Sequence, residues 1–206
     1  MRAVHDERTG RVRCDDESLD ALLRDPSSWP ASLVADERSH AALGAIGGAL
    51  AEGRLVIGGM KAVLDHRFWI APGAAAFFLS LGDLGDGSGD LVGVAPTLVP
   101  ARLARLVGLG PRRVDGERSP EPADPDLLVD ALHASELLRS SALAALGARR
   151  AWRLDLRGSA GDPVAERTMT VLDGDRGYWL VADGTPPHLA PSTATVLWRR
   201  LTTVLA

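Results

Sequence analysis

Asp86-Gly87-Ser88-Gly89-Asp90 presents alternating side-chain oxygens of the kind that open a calcium loop. Such a loop also needs a glycine at its turn and a bidentate glutamate at its end. Leu91 and Thr97 stand at those two positions, so the segment reads as a solvated hairpin loop. Gly108-Leu109-Gly110-Pro111-Arg112-Arg113 has the glycine spacing of a phosphate loop but lacks its third glycine and its Lys-Ser/Thr pair. It follows a helical pattern, where a C-terminal stop explains the glycines better. Ser88 and Ser159 lie beside glycines, yet neither sits in a G-x-S-x-G elbow. His5, His40, His66, His133 and His188 show no i, i+4 pair, so a catalytic triad would need convergence in space. His66, between Asp65 and Arg67, reads as part of a polar turn. These residues predict no catalytic site, no metal and no cofactor.

The elements that would carry a binding site are clearer than any chemistry. The chain has 206 residues, 46% of them hydrophobic and 24% charged, which is ordinary for a globular protein able to bury a core. Its net charge of −4 argues against a general nucleic-acid binder, which needs a basic face for phosphates. Lys61 is the sole lysine, and the sequence contains no Asn or Gln. With abundant Ala, Gly, Leu and Arg, this pattern fits a GC-rich, actinobacterial coding bias. Cys14 is the only cysteine, so no internal disulfide or cysteine-based zinc site can form. The polar N-terminus lacks a signal-peptide core, and no apolar run approaches bilayer length. A cytoplasmic protein without membrane contact is expected.

Val4 to Arg13 predicts a hairpin turning at Arg8-Thr9-Gly10, followed by a short helix that ends before Asp25-Pro26. Asp36 caps a helix expected from Glu37 to Ala51, with Ala42, Leu43, Ile46 and Leu50 inward. Strands follow at Arg54–Ile57, broken or bulged by Gly58-Gly59, and at Phe68–Ile70, Ala75–Leu81 and Leu91–Val94. A helix from Val99 to Val107 closes this set. Gly108 to Asp126 is rich in Gly, Pro and charge and reads as a linker. The pattern then restarts. One helix is expected to Leu146 with Leu128, Leu132, Leu137, Leu138 and Leu143 inward, then strands at Trp152–Leu156, Arg167–Leu172 and Tyr178–Ala182, and a last helix from Ser192 to Leu205. Trp69, Trp152, Trp179 and Trp198 fall on apolar faces and are expected in the core. Arg112-Arg113, Arg149-Arg150 and Arg199-Arg200 read as solvated ends.

One junction occurs twice. Val94-Ala95-Pro96-Thr97 precedes a helix carrying Leu103, Arg105 and Leu106, and Leu189-Ala190-Pro191-Ser192 precedes one carrying Trp198, Arg200 and Leu201. In each, a strand meets a proline, and Thr97 or Ser192 is placed to cap the next helix. The upstream order also agrees. The predicted fold is α+β: a pseudo-twofold duplicated unit with an antiparallel β-sheet flanked by helices. Its expected divisions are an N-terminal hairpin and helix (1–35), a first repeat (36–110), a linker (111–125) and a second repeat (126–206).

Two connections exceed what their hairpins need, Gly82 to Asp90 and Gly158 to Ala165. Long loops on a rigid scaffold are frequent binding elements. Leu84, Asp86, Asp90, Asp162 and Pro163 are therefore the expected partner-binding residues.

The segment from Asp65 to Arg112 holds Trp69-Ile70-Ala71-Pro72-Gly73, Val94-Ala95-Pro96 and Leu109-Gly110-Pro111-Arg112, and the C-terminal segment holds Val171-Leu172-Asp173, Gly177-Tyr178-Trp179 and Leu189-Ala190-Pro191 with its terminal helix. From about residue 37 to the end, this set resembles the EspG family, cytosolic chaperones of type VII (ESX) secretion in actinobacteria. The stretch up to about Pro30 departs from it. The resemblance implies a pseudo-twofold fold and a non-enzymatic chaperone or adaptor for a helical, secreted client protein. The alternatives are an interaction module of another actinobacterial system, or an enzyme with a site between two lobes. Client identity and oligomeric state are left open by the sequence.

Overall fold

Gly10, at φ 65°, turns the chain between β1 (Val4–Asp6) and β2 (Arg11–Cys14) in the computed structural model. Residues 3–25, 29, 31, 33, 36–82, 87–112, 119, 121–158, 167–182 and 187–205 are described by the structure. The Asp6 carboxylate fixes the turn by accepting from the Arg8 N–H at 3.0 Å and the Thr9 hydroxyl at 2.6 Å. Asp15 caps α1 (Asp16–Arg24), accepting from the Ser18 N–H at 2.7 Å, and Leu19 and Leu22 turn inward. Asp36 caps α2 (Glu37–Gly47) in the same way.

Four strands then follow: β3 (Ala51–Gly59), β4 (Val63–Ala71), β5 (Ala74–Ser80) and β6 (Gly89–Val94). A 3₁₀ turn at Pro96–Leu98 leads into α3 (Val99–Leu106). The second half holds β7 (Glu121–Pro122), α4 (Pro125–His133), α5 (Glu136–Ala145), β8 (Ala148–Gly158), β9 (Arg167–Gly174), β10 (Gly177–Ala182), β11 (His188–Ser192) and α6 (Ala194–Val204).

The chain is α+β, with an antiparallel sheet whose hydrogen-bonded order is β1-β2-β6-β5-β4-β3-β8-β9-β10-β11-β7. β3 to β6 pair as consecutive neighbours, and so do β8 to β11. Contacts divide the chain into two compact units: Met1–Arg54, Asp65–Val99 and Leu156–Glu166 in one, Leu55–Leu64, Pro100–Asp155 and Arg167–Ala206 in the other. In the first unit, Leu19, Leu22, Leu43, Trp69, Phe78 and Leu91 form a core between helices and sheet. In the second, Val56, Leu128, Leu132, Leu143, Leu172 and Leu189 form another. In each core the apolar faces of two helices pack on strands of the antiparallel sheet.

Several expectations need correction. The helix expected to run to Leu146 is two helices, broken at Ala134-Ser135, where Ala134 has extended ψ of 172°. The buried Arg139 guanidinium holds the break, donating to the carbonyls of Ala134 at 2.8 Å and Gly59 at 2.5 Å. Leu137 and Leu138, expected inward, face outward at 76% and 55% exposed. Gly58-Gly59 does not interrupt β3. Gly58 instead admits the Ala131 carbonyl of α4, which would lie 2.2 Å from any Cβ there.

α2 stops at Gly47, so Leu50 is an exposed residue beyond it and β3 starts at Ala51. Neither Thr97 nor Ser192 is a helix cap. Thr97 lies within the 3₁₀ turn, Ser192 ends β11, and Thr193 caps α6 through its hydroxyl. Pro191 lies inside β11 opposite Trp179, beyond the two residues that β7 pairs, where its missing N–H costs no ladder bond. His66 is buried in β4, its Nδ1 accepting the Ser80 N–H at 3.1 Å.

Candidate protein-binding groove

Of the residues expected to bind a partner, only Asp90 falls among those described. It sits in β6, not in a loop. It is buried and its carboxylate accepts from Arg13 Nε at 2.8 Å, across the β2–β6 ladder. Leu84, Asp86, Asp162 and Pro163 lie outside the described residues.

The structure assembles a different surface in the second unit. α3 runs inward with Val99, Leu103 and Val107 buried, leaving Ala101 and Arg105 outside. Gly108, at φ 55°, ends it: its N–H bonds the Arg105 carbonyl at 3.0 Å and the Leu109 N–H bonds the Ala104 carbonyl at 2.7 Å. This pair of bonds is a Schellman stop. The chain then runs along Gly108 to Pro111 as a wall. α6 buries Leu197 and Leu201 and so holds Trp198, the residue after Leu197, at the edge with 39% of its surface exposed. Between α3, the wall and α6 lies an open groove of about 730 Å³, with alanines at positions 101, 104 and 194 as its small side chains and Trp198 and Leu109 as its large apolar ones.

Buried polar bonds hold the wall. The Tyr178 hydroxyl accepts from the Gly110 N–H at 3.1 Å and donates to the Gly110 carbonyl at 3.0 Å. Asp173, 2% exposed at its side chain, receives Arg112 through Nε and Nη2, both at 3.0 Å. Arg150 donates to the same carboxylate at 2.6 and 2.8 Å. Both guanidiniums also reach the Gly108 carbonyl, at 3.3 and 3.4 Å. The Asp173 hydrogen bond holds the Arg112 guanidinium above its ordinary pKa, against the opposing effect of burial. Arg112 and Arg150 are thus anchors of a wall, not the solvated ends expected of them. A rigid wall preorganises the groove, which lowers the ordering cost of binding.

The groove has no acid–base pair, and among the described residues no carboxylate lines it. The nearest thing to a catalytic set lies elsewhere. His5 Nε2 stands 3.1 Å from Ser39 Oγ and 3.4 Å from Asp36 Oδ2. A working triad needs the carboxylate on the far imidazole nitrogen and an accessible nucleophile. Here Asp36 meets the same nitrogen as the serine, and it accepts both the Ser39 N–H and its hydroxyl. Ser39 has no exposed surface. The cluster is a helix cap tied to the first strand. Among the described residues, no group of three or more His, Cys, Asp or Glu side chains could hold a metal ion. No helix among them is long and apolar enough to cross a membrane.

Sequence reasoning placed Trp198 in the core and dismissed Gly108 to Arg112 as only a helix stop. The proline junctions at Pro96 and Pro191 precede the two helices that line the groove.

No family model matches the chain, and no curated protein sequence matches it. Among solved structures, it is similar to the type VII secretion system chaperone EspG5 of Mycobacterium tuberculosis, determined in complex with a PE25-PPE41 dimer. The identity is 10%, the coverage 95% of each chain and the TM-score 0.57. In fold, then, the chain is a distant likeness of EspG5.

Proposed function

We propose that this chain is a non-enzymatic, cytosolic chaperone or adaptor that holds an apolar helical segment of a client protein in the groove between α3 and α6. The exposed Trp198 at the edge of that groove carries the proposal. A groove between two helices accepts a third helix, whose apolar face replaces water over the floor. Aromatic anchors with an excluded-water surround dominate such interfaces. Covering a partly exposed tryptophan contributes roughly 2 kcal/mol.

The likeness to a chaperone solved with a bound protein dimer supports a protein client. The matched order of strands β3 to β6 and β8 to β11, each set followed by a groove helix, supports an origin by duplication, with repeats near residues 36–110 and 126–206. The test is affinity purification from the native host with wild-type chain and Trp198→Glu. A discrete protein retained by the first and lost from the second supports the assignment; equal retention removes the groove from it.

A further inference from the structure

A second exposed apolar feature lies in the same unit. On α4, Asp126, Val129, Asp130 and His133 share one face at helical spacing. Across the break at Ala134-Ser135, Glu136, Leu137 and Leu138 open α5. Val129 on α4 is 56% exposed, and Leu137 and Leu138 on α5 are 76% and 55% exposed. The helix pair thus makes a ridge of aliphatic side chains among Asp126, Asp130 and Glu136. Its one arginine, Arg139, is buried and spent on two backbone carbonyls.

The groove has the opposite sign. Neither α3 nor α6 contains an acidic residue, and Arg105, Arg199 and Arg200 are exposed on them. An apolar ridge with acidic flanks and an apolar groove with basic flanks are complementary in charge. Both belong to one chain and are present at equal concentration. We propose that the α4–α5 ridge of one copy docks in the α3–α6 groove of a second copy.

The contact is heterologous, with different patches on the two partners, so each copy keeps one ridge or groove unused and association continues head to tail. Opposite charges at the rims make it weaken with salt. The inference takes the groove assigned above as one of its faces, but its test uses purified chain without any client, so the two can fail separately.

Sedimentation velocity decides it. At low salt, the weight-average mass of the wild type should rise from 21.7 kDa by about twofold or more between roughly 5 and 500 µM, as a small, weak interface would give. Leu137→Glu removes the ridge and keeps the groove; Trp198→Glu does the reverse. Each alone should stay monomeric at 500 µM on this concentration scale, while an equimolar mixture forms a dimer and nothing larger, because one groove and one ridge remain. Leu138→Glu and Leu109→Glu repeat the pair, on the ridge and in the groove, if either first variant fails to fold. A wild type that stays monomeric throughout, a mixture that stays monomeric, or variants that associate like the wild type would each overturn the proposal.

Discussion

Tyr178 and Gly110 exchange two hydrogen bonds across 68 positions of sequence, the backbone N–H donating at 3.1 Å and the hydroxyl donating back at 3.0 Å. The ring itself is buried and lies under Arg112, whose guanidinium carbon is 5.2 Å from its centroid. Tyr178→Phe keeps the ring and strands both Gly110 groups. It should cost about 1–2 kcal/mol, read from urea unfolding. An unchanged midpoint would mean that the wall does not depend on this bond.

Asp173 pairs with both Arg112 and Arg150, and its side chain is 2% exposed. Asp173→Ala leaves two partly buried guanidiniums without their counter-charge. Breaking a buried pair from one side costs about 3–5 kcal/mol, and thermal unfolding should fall accordingly. A loss under about 1 kcal/mol, the range of exposed ion pairs, would show that solvent screens this cluster.

The Asp36 carboxyl is held below its ordinary range, first by the Ser39 hydroxyl and then by the Ser39 N–H, against a smaller effect of burial. A depressed folded value stabilises the fold above the unfolded pKa and is lost as pH falls through the folded one. The thermal stability of the wild type over Asp36→Asn should be level above about pH 5 and shrink below about pH 4. An advantage that grows on acidification would contradict the sign.

Cys14 is buried, and burial first, then the nearby Asp15 and Asp16 carboxylates, pushes its thiol up to about 12. Only the thiolate reacts with disulfide reagents. At pH 8 the folded protein should resist a thiol-exchange dye and react fully once unfolded in guanidinium. Rapid labelling of the native chain would show that β2 opens locally.

The local elements were legible where one short signal decides them. Gly10 marked the first hairpin, Asp15 and Asp36 stand just ahead of the helices they cap, and Gly108 marked the end of α3. Gly174 and Gly177 pair at the β9–β10 turn, between the two strands expected there. The helix break at Ala134-Ser135 was not legible. No proline or glycine marks it; the only local hints are Ser135-Glu136 and the phase of Leu137, which falls off the Leu128–Leu132 stripe. What enforces it is Arg139 reaching Gly59, 80 residues away.

The groove was hidden for a related reason. Trp198 follows the buried Leu197 on a helix, and apolar character alone does not say which neighbour faces the core. The wall depends on Asp173, which lies buried in β9. Its partners lie 61 and 23 residues away, beyond any local pattern. The loop residues chosen instead carried only length and flexibility as evidence.

The most direct test of the central claim is calorimetric titration of the client, once recovered by affinity purification and itself purified, into wild-type chain and into Trp198→Glu. Trp198 is 39% exposed, so the variant should fold and melt within about 3 °C of the wild type. The account predicts one-to-one binding to the wild type and a loss of about 30-fold or more in the variant, the scale of an aromatic anchor. Equal affinity for the two folded proteins would contradict it.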